Sequence, residues 1–165
     1  MEPRFEIISQ KTFVGMRVQM SFTNNKTFKL WNSFMPRRKE IENTKGSELY
    51  SIEVYNSHFF EQFNPKNEFN KWAAVEVTDC SNLPNEMETL TIPQGLYAVF
   101  IHKGPASTGS KTYHYIFENW LPKSEYTVDC RPHFAIMGDK YKHEDPSSEE
   151  EIWIPIKEII QKKIQ

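Results

Sequence analysis

Between residues 12 and 20 apolar and polar side chains alternate, as Thr12-Phe13-Val14-Gly15-Met16-Arg17-Val18-Gln19-Met20. A period of two sends successive residues to opposite faces of an extended chain, so this segment is predicted to be a half-buried strand. Beyond Thr23-Asn24-Asn25, whose short polar side chains suit a helix start, the apolar positions become Leu30, Trp31, Phe34 and Ile41. That is helical spacing interrupted by Pro36, and it predicts a helix that kinks or restarts there. Two strands are expected next, over 49–55 and 72–78, with Phe59, Phe60, Phe63 and Phe69 in the long segment joining them. The first half reads β-α-β-β.

The second half reads in the same order. An apolar run over 88–103 contains Pro93-Gln94-Gly95, a turn or bulge, ahead of Leu96-Tyr97-Ala98-Val99-Phe100-Ile101. Tyr113, Ile116, Phe117 and Trp120 recur at the spacing of an amphipathic helix, which Leu121-Pro122 is expected to stop, because the residue before a proline disfavours helix. Strands at 133–137 and 151–156 follow, with an acidic loop over 141–150 between them. The expected architecture is α+β, a tandem duplication of a β-α-β-β unit with antiparallel sheets. It forms one domain over 1–165, with repeats of approximately 1–82 and 83–165. Each helix covers only one face of its sheet, so the remaining faces are expected to meet at an approximate twofold and frame a ligand cleft.

Strand parity nominates the cleft residues. In Glu151-Ile152-Trp153-Ile154-Pro155-Ile156 the isoleucines share one face, turned to the helix, and Glu151, Trp153 and Pro155 the other. In the matching strand of the first unit, Ala73, Val75 and Val77 turn inward, leaving Trp72, Ala74 and Glu76 opposite. A carboxylate beside indoles is costly to desolvate unless a cation compensates it, and an organic cation over an aromatic face gains about 0.5 to 2 kcal/mol per ring. Glu151, Trp153 and Trp72 are therefore the leading ligand contacts, followed by Tyr50, Phe134 and Tyr97. The competing reading puts Glu151 at the surface with a basic partner and Trp153 in the core. Trp31 and Phe34 lie on the helical stripe and read as core. Core packing is the first expectation for the Phe-rich segment, and a lid over the cleft the second.

Composition narrows the function. The chain has 165 residues, a formal charge of −2, and 12 Phe, 7 Tyr and 4 Trp, an aromatic content that suits a ligand cleft as well as a core. No apolar stretch approaches the roughly 18 residues of a membrane span and the N-terminus lacks a signal-peptide core, so a cytoplasmic location without membrane association is expected. Cys80 and Cys130 stand alone, and the histidines show no ligand spacing, so neither a disulfide framework nor a metal site is expected. Arg37-Arg38-Lys39 reads as a solvated helix face, and with this charge direct nucleic-acid binding is not expected.

Three motifs carry a resemblance. Tyr97-Ala98-Val99-Phe100-Ile101-His102-Lys103-Gly104-Pro105, Trp120-Leu121-Pro122-Lys123-Ser124-Glu125-Tyr126 and Glu150-Glu151-Ile152-Trp153-Ile154-Pro155-Ile156 together resemble the GyrI-like effector-binding domain. That domain is also the sensor half of AraC-type and MerR-type multidrug regulators. Ala74-Val75-Glu76-Val77 matches the family's first unit more weakly. The likeness is greatest to stand-alone members such as integron-cassette effector-binding proteins. It implies a pocket for amphipathic, cationic, drug-like molecules lined by Glu151 and Trp153, no cofactor, and a transcription regulator as a possible partner. The chain departs from the family at Ala135, where many relatives carry a glutamate; either Glu151, or else Glu76 or Glu53, then supplies the counter-charge, or the ligand is neutral. A sub-branch hydrolyses cyclopropane-containing electrophiles, and in that alternative Glu151 would serve as general base. No nucleophile–base arrangement is legible, so binding without catalysis is the first reading. The haem-binding SOUL proteins are fold-level neighbours, but isolated histidines such as His102 and His133 read as structural.

Overall fold

The computed structural model describes residues 1–159; the remainder of the expected domain, 160–165, lies outside the described residues. The chain opens with β1 (Arg4–Ile8) and β2 (Lys11–Met20) and continues into α1 (Thr27–Phe34). After β3 (Leu49–Val54) and β4 (Phe69–Glu76) come β5 (Glu88–Ile92) and β6 (Gly95–Lys103). Helix α2 (Gly109–Tyr115) runs through a π turn (Ile116–Trp120) into the short α3 (Leu121–Lys123). Strands β7 (Tyr126–Val128), β8 (His133–Met137) and β9 (Glu149–Glu158) complete the described chain. The protein is α+β, with every strand pairing antiparallel.

Local sequence accounts for most of these boundaries. The Asn25 side chain accepts the Thr27 amide at 2.9 Å where α1 begins. Pro36 ends the α-helical bonding and the chain goes on as a 3-10 helix over Met35–Glu40, whose first turn tolerates a proline without an N–H. The second helix passes the point where Leu121-Pro122 was expected to stop it. Pro122 sits in the first turn of α3, where its absent N–H costs nothing, and the helix ends at Lys123 instead.

The run over 88–103 is two strands with different partners. Strand β5 pairs with β2, whereas β6 lies between β1 and β9, so Pro93-Gln94 carries the chain from one end of the sheet to the other. Strands β1 and β7 had no counterpart in the hydropathy pattern. The full order is β1-β6-β9-β8-β3-β4-β2-β5, with β7 added to β9. It is symmetric about the β3–β8 seam when β1 is matched with β5, β2 with β6, β3 with β8 and β4 with β9.

Each helix packs on its own half of the sheet. Leu30 and Phe34 of α1 lie on Val14, Ala73 and Val75 of β2 and β4. Ile116, Phe117 and Trp120 lie on Ala98, Phe100, Ile152 and Ile154 of β6 and β9. On the strip between the helices, formed by β3 and β8, Leu49 packs against the first of these clusters, and the buried members of both lie outside those two strands. Among the described residues no helix is long and apolar enough to cross a membrane.

Candidate functional site

The sheet face turned away from the helices holds the aromatic residues that parity nominated. Tyr50, Trp72, Tyr97, Phe134 and Trp153 join Phe13, Ile52 and Val99 in one cluster, with no buried member more than 7% exposed. Phe134 stacks on Trp153 at 5.2 Å and 18°, and Tyr97 of β6 reaches Phe134 of β8 across β9 at 5.2 Å. The Tyr97 hydroxyl donates to the Pro132 carbonyl at 2.8 Å, while the Arg131 guanidinium lies 4.8 Å from its ring centre. Where a ligand cleft was expected between these faces, the rings pack against one another and fill it.

Glu151 stands at the margin of that cluster, with its side chain 33% exposed. It accepts the Trp153 indole N–H at 3.1 Å and an Arg4 N–H at 2.9 Å. The Arg4 guanidinium sits 5.6 Å over the Trp153 ring. The cation that this carboxylate and indole invite is thus supplied by β1. Glu76, buried on β4, is compensated by Lys11 at 3.5 Å and Lys45 at 3.8 Å.

The helix-side strip has a different character. Cross-strand register sets His133 opposite Glu53, Glu53 opposite Lys71, and Ala135 opposite Ser51, with Ser51 opposite Ala73. The row through Ser51 carries small residues and the next row ionisable groups, which makes the strip between α1 and the α2 region a candidate trough. Lys71 Nζ donates to Glu53 Oε1 at 2.9 Å, and both side chains are nearly buried, at 13% and 11% exposure. The second carboxylate oxygen, Glu53 Oε2, is buried with no hydrogen-bond partner. Leaving such an acceptor unmet costs about 1–3 kcal/mol, more for a charged group.

Further polar groups converge on this strip. Glu150 of β9 lies opposite His102, and burial pushes its carboxyl up from the ordinary value. Burial also pushes the Tyr113 phenol well above its ordinary value, with the negative charges of Glu53 and Glu150 adding to the effect. The Tyr55 phenol rises for the same reason, burial first and Glu53 second. Tyr55, Tyr113 and Glu150 nevertheless keep intermediate solvent exposure. These three side chains are hemmed in by protein yet reachable by solvent. His133, buried on the trough floor, is held neutral, its imidazole pushed down to about 3 by burial and then by the charge of Arg131.

Aromatic rings close the trough from above. Phe60 stacks on Phe117 of the π turn and on His133, both at 5.3 Å, and Tyr55 meets Phe60 edge-on at 4.9 Å. Phe59 is anchored with Met20 and Phe69, whereas Phe63 remains 57% exposed beside Phe22. The Phe-rich segment thus contributes both to the core and to a cover over the polar strip. Among the described residues no group of three or more His, Cys, Asp or Glu is placed to hold a metal ion, and Cys80 and Cys130 are exposed free thiols.

Of the residues nominated from the sequence, the five aromatic ones assemble as a core and Glu151 borders them; Glu53, a subordinate candidate, is the acid that the fold buries with an unmet oxygen. Lys71, Tyr113, Glu150 and Phe60 were not nominated as ligand contacts. The available signal was Ser51 and Glu53, two polar residues at the helix-facing positions of a strand.

Comparison with known proteins agrees with this architecture. The GyrI-like small molecule binding domain matches over residues 1–157. The transcriptional regulator BrlR of Pseudomonas aeruginosa is 28% identical over 145 residues, covering 87% of this chain and 51% of that protein. The chain thus spans about half the length of that curated relative. An integron cassette protein from the mobile metagenome of Vibrio cholerae superposes with a TM-score of 0.69 at 13% identity, covering 94% of this chain and 96% of the other. SAV2435 bound to tetraphenylphosphonium gives a TM-score of 0.69 at 16% identity, covering 95% and 94%. At these identities the two structures establish a shared fold. The residues 1–157 that match, and the α+β sheet they build, make this chain a member of the GyrI-like small-molecule-binding domain family.

Proposed function

We propose that the trough over β3 and β8 receives an amphipathic, drug-like molecule, with Glu53 as its polar anchor and Tyr55, Tyr113 and Phe117 as its walls. The observation that carries this reading is the buried Glu53 Oε2 atom, which lacks a hydrogen-bond donor although Lys71 satisfies its sister oxygen. A ligand N–H or a cationic edge recovers the cost of that unmet acceptor, and its apolar body replaces water against aromatic walls. Lys71 already balances the carboxylate's charge, so the site takes a donor-bearing neutral molecule as well as a cation. The tetraphenylphosphonium bound by SAV2435, a protein of the same fold, supports an apolar cation as the first probe. The likeness to BrlR supports a further step, in which occupancy of this domain is read by transcription machinery.

Isothermal titration with tetraphenylphosphonium and ethidium tests the assignment. Ethidium binding to the native protein should fall by roughly 10-fold to 100-fold in Glu53→Gln, the loss of about 1.5–3 kcal/mol given by a hydrogen bond from its amino groups to a charged acceptor. Tetraphenylphosphonium, which has no N–H to donate, should weaken only through the lost Coulombic attraction. Binding of either should be unchanged in Glu151→Gln. Binding that survives Glu53→Gln and disappears in Glu151→Gln and Trp153→Ala would move the site to the opposite face, where Arg4 would have to leave first.

A further inference from the structure

The ring that closes the trough belongs to a segment outside the sheet and the helices. Phe60 lies nearly parallel to Phe117, at 7°, and to His133, at 22°. Its backbone is in no strand or helix. Residues 55–68 form turns held by local bonds, such as the Phe59 amide to the Asn56 carbonyl and the Glu61 amide to the His58 carbonyl, both 3.2 Å. Phe59, 1% exposed, fixes the base of the segment between Met20 and Phe69, while Phe60 is only partly buried. Beneath Phe60 lies a polar floor. Withdrawal of its ring uncovers His133, which the strand register sets opposite Glu53, whose Oε2 atom has no hydrogen-bond partner.

We propose that Phe60 is a tethered stand-in for the effector: the slot bounded by Phe117, His133 and Tyr55 is a subsite for one flat aromatic ring, which the ligand enters by displacing Phe60. The proposal rests on the trough reading above and adds how the site is regulated. A ring attached to the chain by a few residues competes at high effective concentration, so the competent, open form is a minor population. Apparent affinity is then the intrinsic affinity reduced by the open fraction. The slot selects planar aromatic groups, because only they reproduce stacking on both Phe117 and His133.

Ethidium, a planar cation, is the probe. Phe60→Ala should bind it roughly 10-fold more tightly than the native protein, mainly through faster association, because the closed population is removed. Phe60→Leu, which keeps apolar bulk without a stacking ring, should fall between. In the native protein, amide hydrogen exchange over residues 57–63 should accelerate when ethidium binds, while exchange in β3 slows. A lid that merely closes over its ligand gives the opposite sign. Equal or weaker ethidium binding by a folded Phe60→Ala or Phe60→Leu, or slowed exchange over 57–63 in the native complex, overturns the displacement proposal and leaves the trough assignment standing. Ethidium that binds neither the native protein nor either variant overturns both. Should Phe60→Ala not fold, the exchange measurement on the native protein and Phe60→Leu decide.

Discussion

His133 shows how one buried side chain ties stability to pH. Its imidazole titrates near the ordinary value of 6.5 in the unfolded chain and near 3 in the fold, chiefly through desolvation. The unfolded state therefore binds the extra proton over the interval between those values, and stability falls as pH drops through it. One proton amounts to about 1.4 kcal/mol per pH unit, so lowering the pH from 6 to 4 removes on the order of 2 kcal/mol from this source. Urea unfolding of His133→Phe against the native protein checks this. The variant keeps a ring for Phe60 and Tyr55, and the difference in unfolding free energy between the two proteins should shift in its favour by that amount across the interval. A pH-independent difference would mean that His133 is not the neutral buried group described.

At the scale of the element, the last strand separates what parity can read from what it cannot. Alternation in β9 assigns Ile152, Ile154 and Ile156 to the helix and Trp153 to the opposite face, and the structure has them there. Parity gives the face but not the neighbour. Strand β1 carries an exposed Phe5, Glu6 and Ile7 and has no buried stripe to reveal it. Its pairing to β6 is what delivers Arg4 to Glu151. Glu151 and Trp153, nominated together from the sequence, consequently differ in energetic weight. The Arg4–Glu151 pair has side chains 44% and 33% exposed, and such pairs contribute about 1 kcal/mol or less. The Trp153 side chain, 7% exposed and stacked on Phe134, costs about 3–5 kcal/mol to truncate. Chemical denaturation of Arg4→Ala and Trp153→Ala should reproduce that ordering, and comparable losses in the two would contradict an edge acid bordering a packed core. The trough escaped the sequence for a related reason. Glu53 and Lys71 come from consecutive strands and His133 from a distant one, and only cross-strand register brings them together, whereas the apolar residues flanking them read as an ordinary helix-covered face.

Across the whole molecule, the two ends of the sheet are interlocked by strands contributed from the opposite half of the sequence. Strand β1, at the N-terminus, completes the edge beside β6, and β5, from the second half, completes the edge beside β2. The seam between β3 and β8 joins the halves at the centre with a further five-residue register. A fragment cut in the loop between β4 and β5 therefore loses partners on both sides. The first piece keeps β2, β3 and β4 but leaves β1 without β6, β2 without β5 and β3 without β8. It also loses the α2 wall of the trough, so the polar groups on β3 face water on one side and nothing on the other. Unpaired strand edges and a small core make each piece marginal by itself. Expressed separately as residues 1–82 and 83–165, neither fragment should show a cooperative denaturant transition. Mixed in equal amounts they should regain one, together with ethidium binding, because the interlocked edges and the trough form only when both are present. A sharp transition in either fragment alone would show that the halves are independent folding units and that the exchanged strands are ornamental to stability.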